Sequence, residues 1–136
     1  MSINSLDHVN IRTSRLDESI AFYRDILGLT VGTIPGFQDT SRGAWIEAGN
    51  GRAVIHLNAA MPGPDFLGED RNWSEIKGSG RVHHVAFDCT DFEAMHQRLT
   101  DAGIPLKLNT VEAINLRQIF IQDPNDVLLE LNFHGD

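Results

Sequence analysis

The amino-acid sequence predicts an α+β fold of two tandem βαβββ modules. Trp45–Asn58 (WIEAGNGRAVIHLN) lies over Ile119–Asn132 (IFIQDPNDVLLELN) without a gap, at an offset of 74, so that His56 falls on Glu130. Leu6–Ser14 (LDHVNIRTS) lies over Val82–Thr90 (VHHVAFDCT) at an offset of 76, so that His8 falls on His84. Each half also runs in one order: a two-faced strand, an amphipathic helix closed by glycine, a short strand and a hairpin.

In the first half, Val9, Ile11 and Thr13 alternate with His8, Asn10 and Arg12, the period-two pattern of a strand with two distinct faces. Ser14 is the expected cap of the next helix, with Asp17 three residues on. Leu16, Ile20, Tyr23 and Leu27 recur at helical spacing, and Gly28 stops the helix. Leu29–Ile34 reads as a strand broken by Pro35-Gly36. Gly43–Ala48 and Arg52–Asn58 read as strands joined at Gly49-Asn50-Gly51, a strong hairpin signal.

The second half starts with a strand over Arg81–Cys89. Thr90 and Glu93 make a fuller capping box for a helix with Phe92, Met95, Leu99 and Ala102 on its apolar stripe, closed by Gly103 and Pro105. A strand at Pro105–Asn109 precedes a hairpin of Leu116–Gln122 and Val127–Phe133, joined by Asp123-Pro124-Asn125-Asp126. The expected organisation is one domain over 1–136, with module one at 4–60, a connecting loop at 61–80 and module two at 81–134. The loop is rich in Gly, Pro and charge, and its length suits a lid or binding loop as well as a solvated linker.

Composition bounds the function. The formal net charge is −8, from 11 Lys and Arg against 19 Asp and Glu. That argues against nucleic acid or an anionic membrane as partner and leaves a small-molecule substrate. The single cysteine, Cys89, rules out an intrachain disulfide and suits a reducing cytoplasm. No secretory signal is visible, and no run approaches the roughly 18 apolar residues of a membrane span.

The duplicated donors carry the chemistry. Strand phase puts His8 with Asn10 and Arg12, opposite the core residues Val9 and Ile11; His84, His56 and Glu130 are phased alike. Three imidazoles and a carboxylate at matching points of two half-chains suggest one divalent transition metal, of Zn, Ni, Co, Fe or Mn, held by His8, His56, His84 and Glu130. Such an N₃O set disfavours Mg and Ca, which prefer oxygen. Arg12, on the donor face, is a candidate for a substrate carboxylate or phosphate, and Arg117 a weaker one. Trp45 and Phe66 are candidates for an apolar substrate wall, although core packing is the default for Trp45. His83, phased opposite His84 and lying over Asp7, reads as structural or as a partner of a ligand. His96 and His134 read as solvent residues, and Cys89 as core.

Several stretches resemble a known family: LDHVNI at Leu6–Ile11, SIAFYRDILGL at Ser19–Leu29, HHVAFDC at His83–Cys89, and RQIFIQDPNDVLLELNF at Arg117–Phe133. With the order of elements, they make nearly the whole chain similar to the vicinal oxygen chelate superfamily, which includes glyoxalase I, extradiol dioxygenases, methylmalonyl-CoA epimerase, and fosfomycin- and bleomycin-resistance proteins. The resemblance implies a cup-shaped mixed eight-stranded sheet with the helices outside, and a homodimer. It implies a glyoxalase I-like lyase or isomerase that stabilises an enediolate of a substrate with neighbouring oxygens, with Glu130, partly leaving the metal, as the base and His56 or a metal-bound water as alternates. An extradiol-type Fe(II) dioxygenase using His8, His84 and Glu130 is the alternative, and a non-enzymatic bleomycin-resistance-like binder a third. Two departures stand out. Asp126 occupies a place where many relatives have Gly, and His56 one where glyoxalase I typically has Glu and the epimerase Gln.

Overall fold

The computed structural model describes residues 1–65 and 67–135. The chain divides into two compact units, Met1–Ile76 and Lys77–Asp136. Each unit carries one four-stranded mixed sheet and one principal helix, the α+β, twice-repeated βαβββ pattern expected from the sequence.

In the first unit β1 (Val9–Thr13) leads into α1 (Leu16–Ala21), followed by β2 (Thr30–Gly32), β3 (Gly43–Glu47) and β4 (Ala53–Ala59). The sheet order is β1-β4-β3-β2, with β1 parallel to β4 and the other neighbours antiparallel. Ile11, Ala44, Ile46, Ile55 and Leu57 are buried along one face of this sheet, together with Ile20, Tyr23 and Leu27 of the helical segment. Full burial of such side chains contributes roughly 1.5–3 kcal/mol each.

The second unit repeats the order with β5 (Val85–Cys89), α2 (Phe92–Asp101), β6 (Lys107–Val111), β7 (Leu116–Gln122) and β8 (Leu128–His134). Its sheet order is β5-β8-β7-β6, again with the first and last strands of the module parallel. Ile119, Ile121, Leu129, Leu131 and Phe133 are buried on one face, and Leu99 is the buried residue of α2.

Local details differ from the sequence expectation. The cap of α1 is Arg15 rather than Ser14, and its side chain does not cap the helix but donates to Glu18; the Thr13 hydroxyl accepts from the Arg15 amide at 2.8 Å. The helix does not run uniformly to Leu27 but widens into a π-helical turn over Phe22–Ile26 before Gly28, at φ 76°. The cap of α2 is Asp91 rather than Thr90. Its carboxylate accepts from the Ala94 amide at 3.1 Å, three residues on, the reach of an N-cap oxygen. A 3₁₀ turn at Glu112–Ile114, without a sequence signal, links β6 to β7. In the last hairpin Asp126 takes a positive φ of 60°, a conformation that favours glycine, while Asp123 Oδ1 accepts from the Asn125 and Val127 amides.

A larger correction concerns β3. Trp45 pairs with His56 and Phe120 with Glu130, so Trp45 is equivalent to Phe120, an offset of 75, not to Ile119. Ile46 pairs with Ile55 but Glu47 with Ala53, which leaves Val54 as an extra residue in a β-bulge of β4. The gapless alignment therefore holds for β4 and β8 and is one residue out for β3 and β7. That residue moves Trp45 from the expected core face to the face of His56.

Candidate metal centre

The four donors stand as one pair in each unit. Among the described residues no three or more His, Cys, Asp or Glu side chains gather into one metal-binding group.

In the first unit, His8 immediately precedes β1, and His56 lies on β4 opposite Asn10, its register partner. The imidazole centroids of His8 and His56 are 6.2 Å apart. The Trp45 ring touches both, edge-on to His8 at 4.9 Å and tilted over His56 at 4.7 Å. His8 Nδ1 donates to Asp7 Oδ1 at 2.7 Å, which leaves the Nε2 lone pair as the donor. The bond from His8 holds the Asp7 carboxyl below the usual carboxylate range. Burial, and then the neighbouring His8, lower the pKa of His56, so its imidazole is kept neutral, the form that binds metals. His56 Nδ1 is 3.2 Å from Asn10 Nδ2. With the amide as donor the neutral imidazole carries its hydrogen on Nε2; with the amide turned over, Asn10 accepts and Nε2 is freed.

In the second unit, His84 immediately precedes β5 and Glu130 lies on β8 opposite Ala86. His84 Nε2 and Glu130 Oε2 are 3.7 Å apart. Two metal–ligand bonds of about 2.0–2.2 Å can bridge that separation. His84 Nδ1 faces His83 Nδ1 at 3.0 Å, so a His84 that ligates through Nε2 donates to His83. Glu130 is largely shielded, its side chain 14% exposed. Both carboxylate oxygens are engaged: Gln118 Nε2 donates to Oε1 at 2.9 Å and Asn132 Nδ2 to Oε2 at 3.1 Å. The donor set fits a transition metal in its chemistry and in its supporting hydrogen bonds, which fix ring and carboxylate orientation as neighbours of metal ligands do.

The remaining sequence candidates separate. Arg12 lies on the donor face of β1, and its guanidinium carbon is 5.5 Å from the centroid of the Trp73 ring in the connecting loop. Arg71 approaches the same ring at 5.8 Å. Arg117 is not brought to the donors: strand phase turns it away from Glu130, onto the Phe92 ring at 3.4 Å and Glu93 Oε1 at 3.2 Å, where it ties β7 to α2. Phe66 lies outside the described residues. Burial pushes the Cys89 thiol up to about 11, in keeping with a packed rather than a reactive cysteine.

Sequence reasoning missed Asn10, Gln118, Asn132 and Phe120, and it did not assign Asp7 a bond to His8. Asp7, Asn10 and Asn132 stand one or two residues from a donor, or opposite one, so strand phase and pairing point to them. Gln118 and Phe120 become visible only once the β7–β8 register is known.

Comparison with known proteins agrees with the fold. A family model described as the Glyoxalase/Bleomycin resistance protein/Dioxygenase superfamily matches residues 5–131. A protein named Glyoxylase I 4 from Arabidopsis thaliana is 29% identical over 136 residues, covering 96% of this chain and 71% of its own. A glyoxalase/dioxygenase from Nostoc punctiforme shares the fold at TM-score 0.73 and 20% identity, over 99% of this chain and 100% of its own. A variant of the fosfomycin resistance protein FosX from Listeria monocytogenes, complexed with Mn(II) and 1S,2S-dihydroxypropylphosphonic acid, matches at TM-score 0.68 and 16% identity, over 98% of this chain and 95% of its own. This chain belongs to the Glyoxalase/Bleomycin resistance protein/Dioxygenase superfamily.

Proposed function

We propose that the chain is a divalent-metal-dependent lyase or isomerase of the glyoxalase I type, acting on a small molecule with two neighbouring oxygens. The reading is carried by the two donor pairs, His8 with His56 and His84 with Glu130, at equivalent places and each already oriented by polar neighbours. His8, His56, His84 and Glu130 are its ligands, for Zn, Ni, Co, Fe or Mn. When bound, the metal supplies Lewis acidity toward the two substrate oxygens. Glu130, by partly leaving the metal, takes the proton α to the carbonyl, with His56 or a metal-bound water as the alternate base. Arg12 takes an anionic group of the substrate, and Trp45 provides an apolar wall beside the first donor pair. A homodimer in a reducing cytoplasm is the expected setting, on the family resemblance and the single cysteine.

One observation favours a second reading. With Asn10 as donor to His56 Nδ1, the imidazole keeps its hydrogen on Nε2 and stays off a metal. His8, His84 and Glu130 then make the two-His, one-carboxylate set of Fe(II) oxygenases.

The test reconstitutes the protein with each metal and offers α-ketoaldehyde hemithioacetals and catechols. About one metal per site and turnover of the hemithioacetals are expected. Catechol cleavage with Fe(II) selects the second reading. Equal metal uptake by wild type and a His8→Ala/Glu130→Ala double variant sinks both.

A further inference from the structure

In the second unit three side-chain amides lie in a row across three strands, on the face that carries Glu130. Asn109 on β6, Gln118 on β7 and Asn132 on β8 are register partners. Asn109 Nδ2 donates to Gln118 Oε1 at 2.7 Å. This fixes which end of the Gln118 amide points inward. Gln118 Nε2 then donates to Glu130 Oε1 at 2.9 Å and to Asn132 Oδ1 at 3.1 Å, a use for each of its two hydrogens. With its Oδ1 occupied, Asn132 turns its own amide nitrogen to Glu130 Oε2, at 3.1 Å. Every bond in the relay sets the direction of the next. Gln118 is buried, only 8% exposed, so water does not readily replace its bonds.

We propose that Gln118 is the positioning residue for Glu130 as a metal ligand: it anchors Oε1 and leaves Oε2, the oxygen 3.7 Å from His84 Nε2, as the atom that binds the ion. The inference rests on the metal-binding reading above and adds to it a one-oxygen mode of ligation. Without the Gln118 amide, Oε1 loses its hydrogen-bond donor, and the carboxylate is held only through Asn132 Nδ2 on Oε2, itself no longer oriented by Gln118.

Two measurements on the full chain test this. In metal-free protein, the side-chain amide resonances of Gln118 are expected to shift on Glu130→Ala, while those of Asn50, in the β3–β4 hairpin of the first unit, stay put. No response overturns the proposal. In a Co(II) titration, Gln118→Leu is expected to weaken binding by about 10–100-fold, the usual effect of removing a partner of a metal ligand. Asn109→Ala, at an exposed position, keeps Gln118 but removes the bond that orients it. It is expected to weaken Co(II) by about 2–10-fold, the worth of one neutral hydrogen bond, and it stands in if Gln118→Leu does not fold. Wild-type affinity in the folded variants overturns the proposal. Failure of the wild type to bind Co(II) overturns the metal reading and this inference with it, and the amide response separates that case from a missing clamp.

Discussion

The two modules hold their donors in different ways. In the second, Glu130 is clamped by amides, and the clamp starts at Gln118, which pairs with Asn132. In the first, the residue paired with Asn58 is Gly43, and a Cβ built there would lie 2.4 Å from the Leu57 carbonyl oxygen and 2.8 Å from Ile34 Cδ1. No side chain fits at that place, so His56 has no counterpart of Gln118. Its ring instead rests on Trp45 and meets Asn10 from the parallel strand β1. A carboxylate, which needs hydrogen-bond donors, and an imidazole, which packs well against an indole, are thus each given suitable support on one scaffold.

Three changes sharpen or break this contrast. The largest effect is expected from Gly43→Ala, because the nearest obstacle is backbone. A loss of about 2–3 kcal/mol in urea unfolding is predicted, of the size of an overpacked core. A loss below about 0.5 kcal/mol would mean that the first module has room for a clamp and does not use it. Next, Asp91→Ala is expected to cost about 1 kcal/mol, because α2 loses its cap; at α1 the residue in the cap position, Arg15, does not cap through its side chain, and the Thr13 hydroxyl meets the first amide instead. Asp91→Asn, which keeps an acceptor and tolerates the positive φ of 64°, should retain most of that stability. The smallest effect concerns the ends of β1 and β5, where Thr13 and Cys89 are equivalent. Thr13 caps the following turn through its hydroxyl, whereas Cys89 Sγ donates over a long 3.6 Å to the Phe87 carbonyl and meets the Asn132 backbone. With its pKa near 11, Cys89 is predicted to react slowly with iodoacetamide at pH 8 in the folded protein and quickly in urea. Fast labelling of the native chain would show that β5 does not protect it.

Much of the fold was legible because period-two alternation and glycine stops are local signals. Leu116–Gln122 was read at its observed ends, and Gly28 and Gly103 do close the helical segments, with φ of 76° and 70°. The helix starts were read one residue early, at Ser14 and Thr90, because the real starts break the rule in different ways: Arg15 is not a capping type, and Asp91 caps from a left-handed conformation. The candidate donors stand out along the chain because the repeat places them at matching points. Their partners stand out less. Gln118 reaches Glu130 across a strand pair, and no spacing along the chain encodes that contact. Trp45 was named as a substrate-wall candidate with core packing as the default, and the offset of 74, which hid an extra residue, gave no means of choosing between the two faces.

That extra residue is Val54. Eleven steps separate Trp45 from His56 and ten separate Phe120 from Glu130, yet both pairs face each other. The bulge absorbs the difference next to the turn, so the pairing at the donor is unchanged. In a repeated module, one half can therefore lengthen by a residue while the side chain at the end of its fourth strand keeps an aromatic residue as its register partner. Insertions near the hairpin tip are then a tolerated form of variation in this hairpin, and a version lacking Val54 should still set Trp45 against His56.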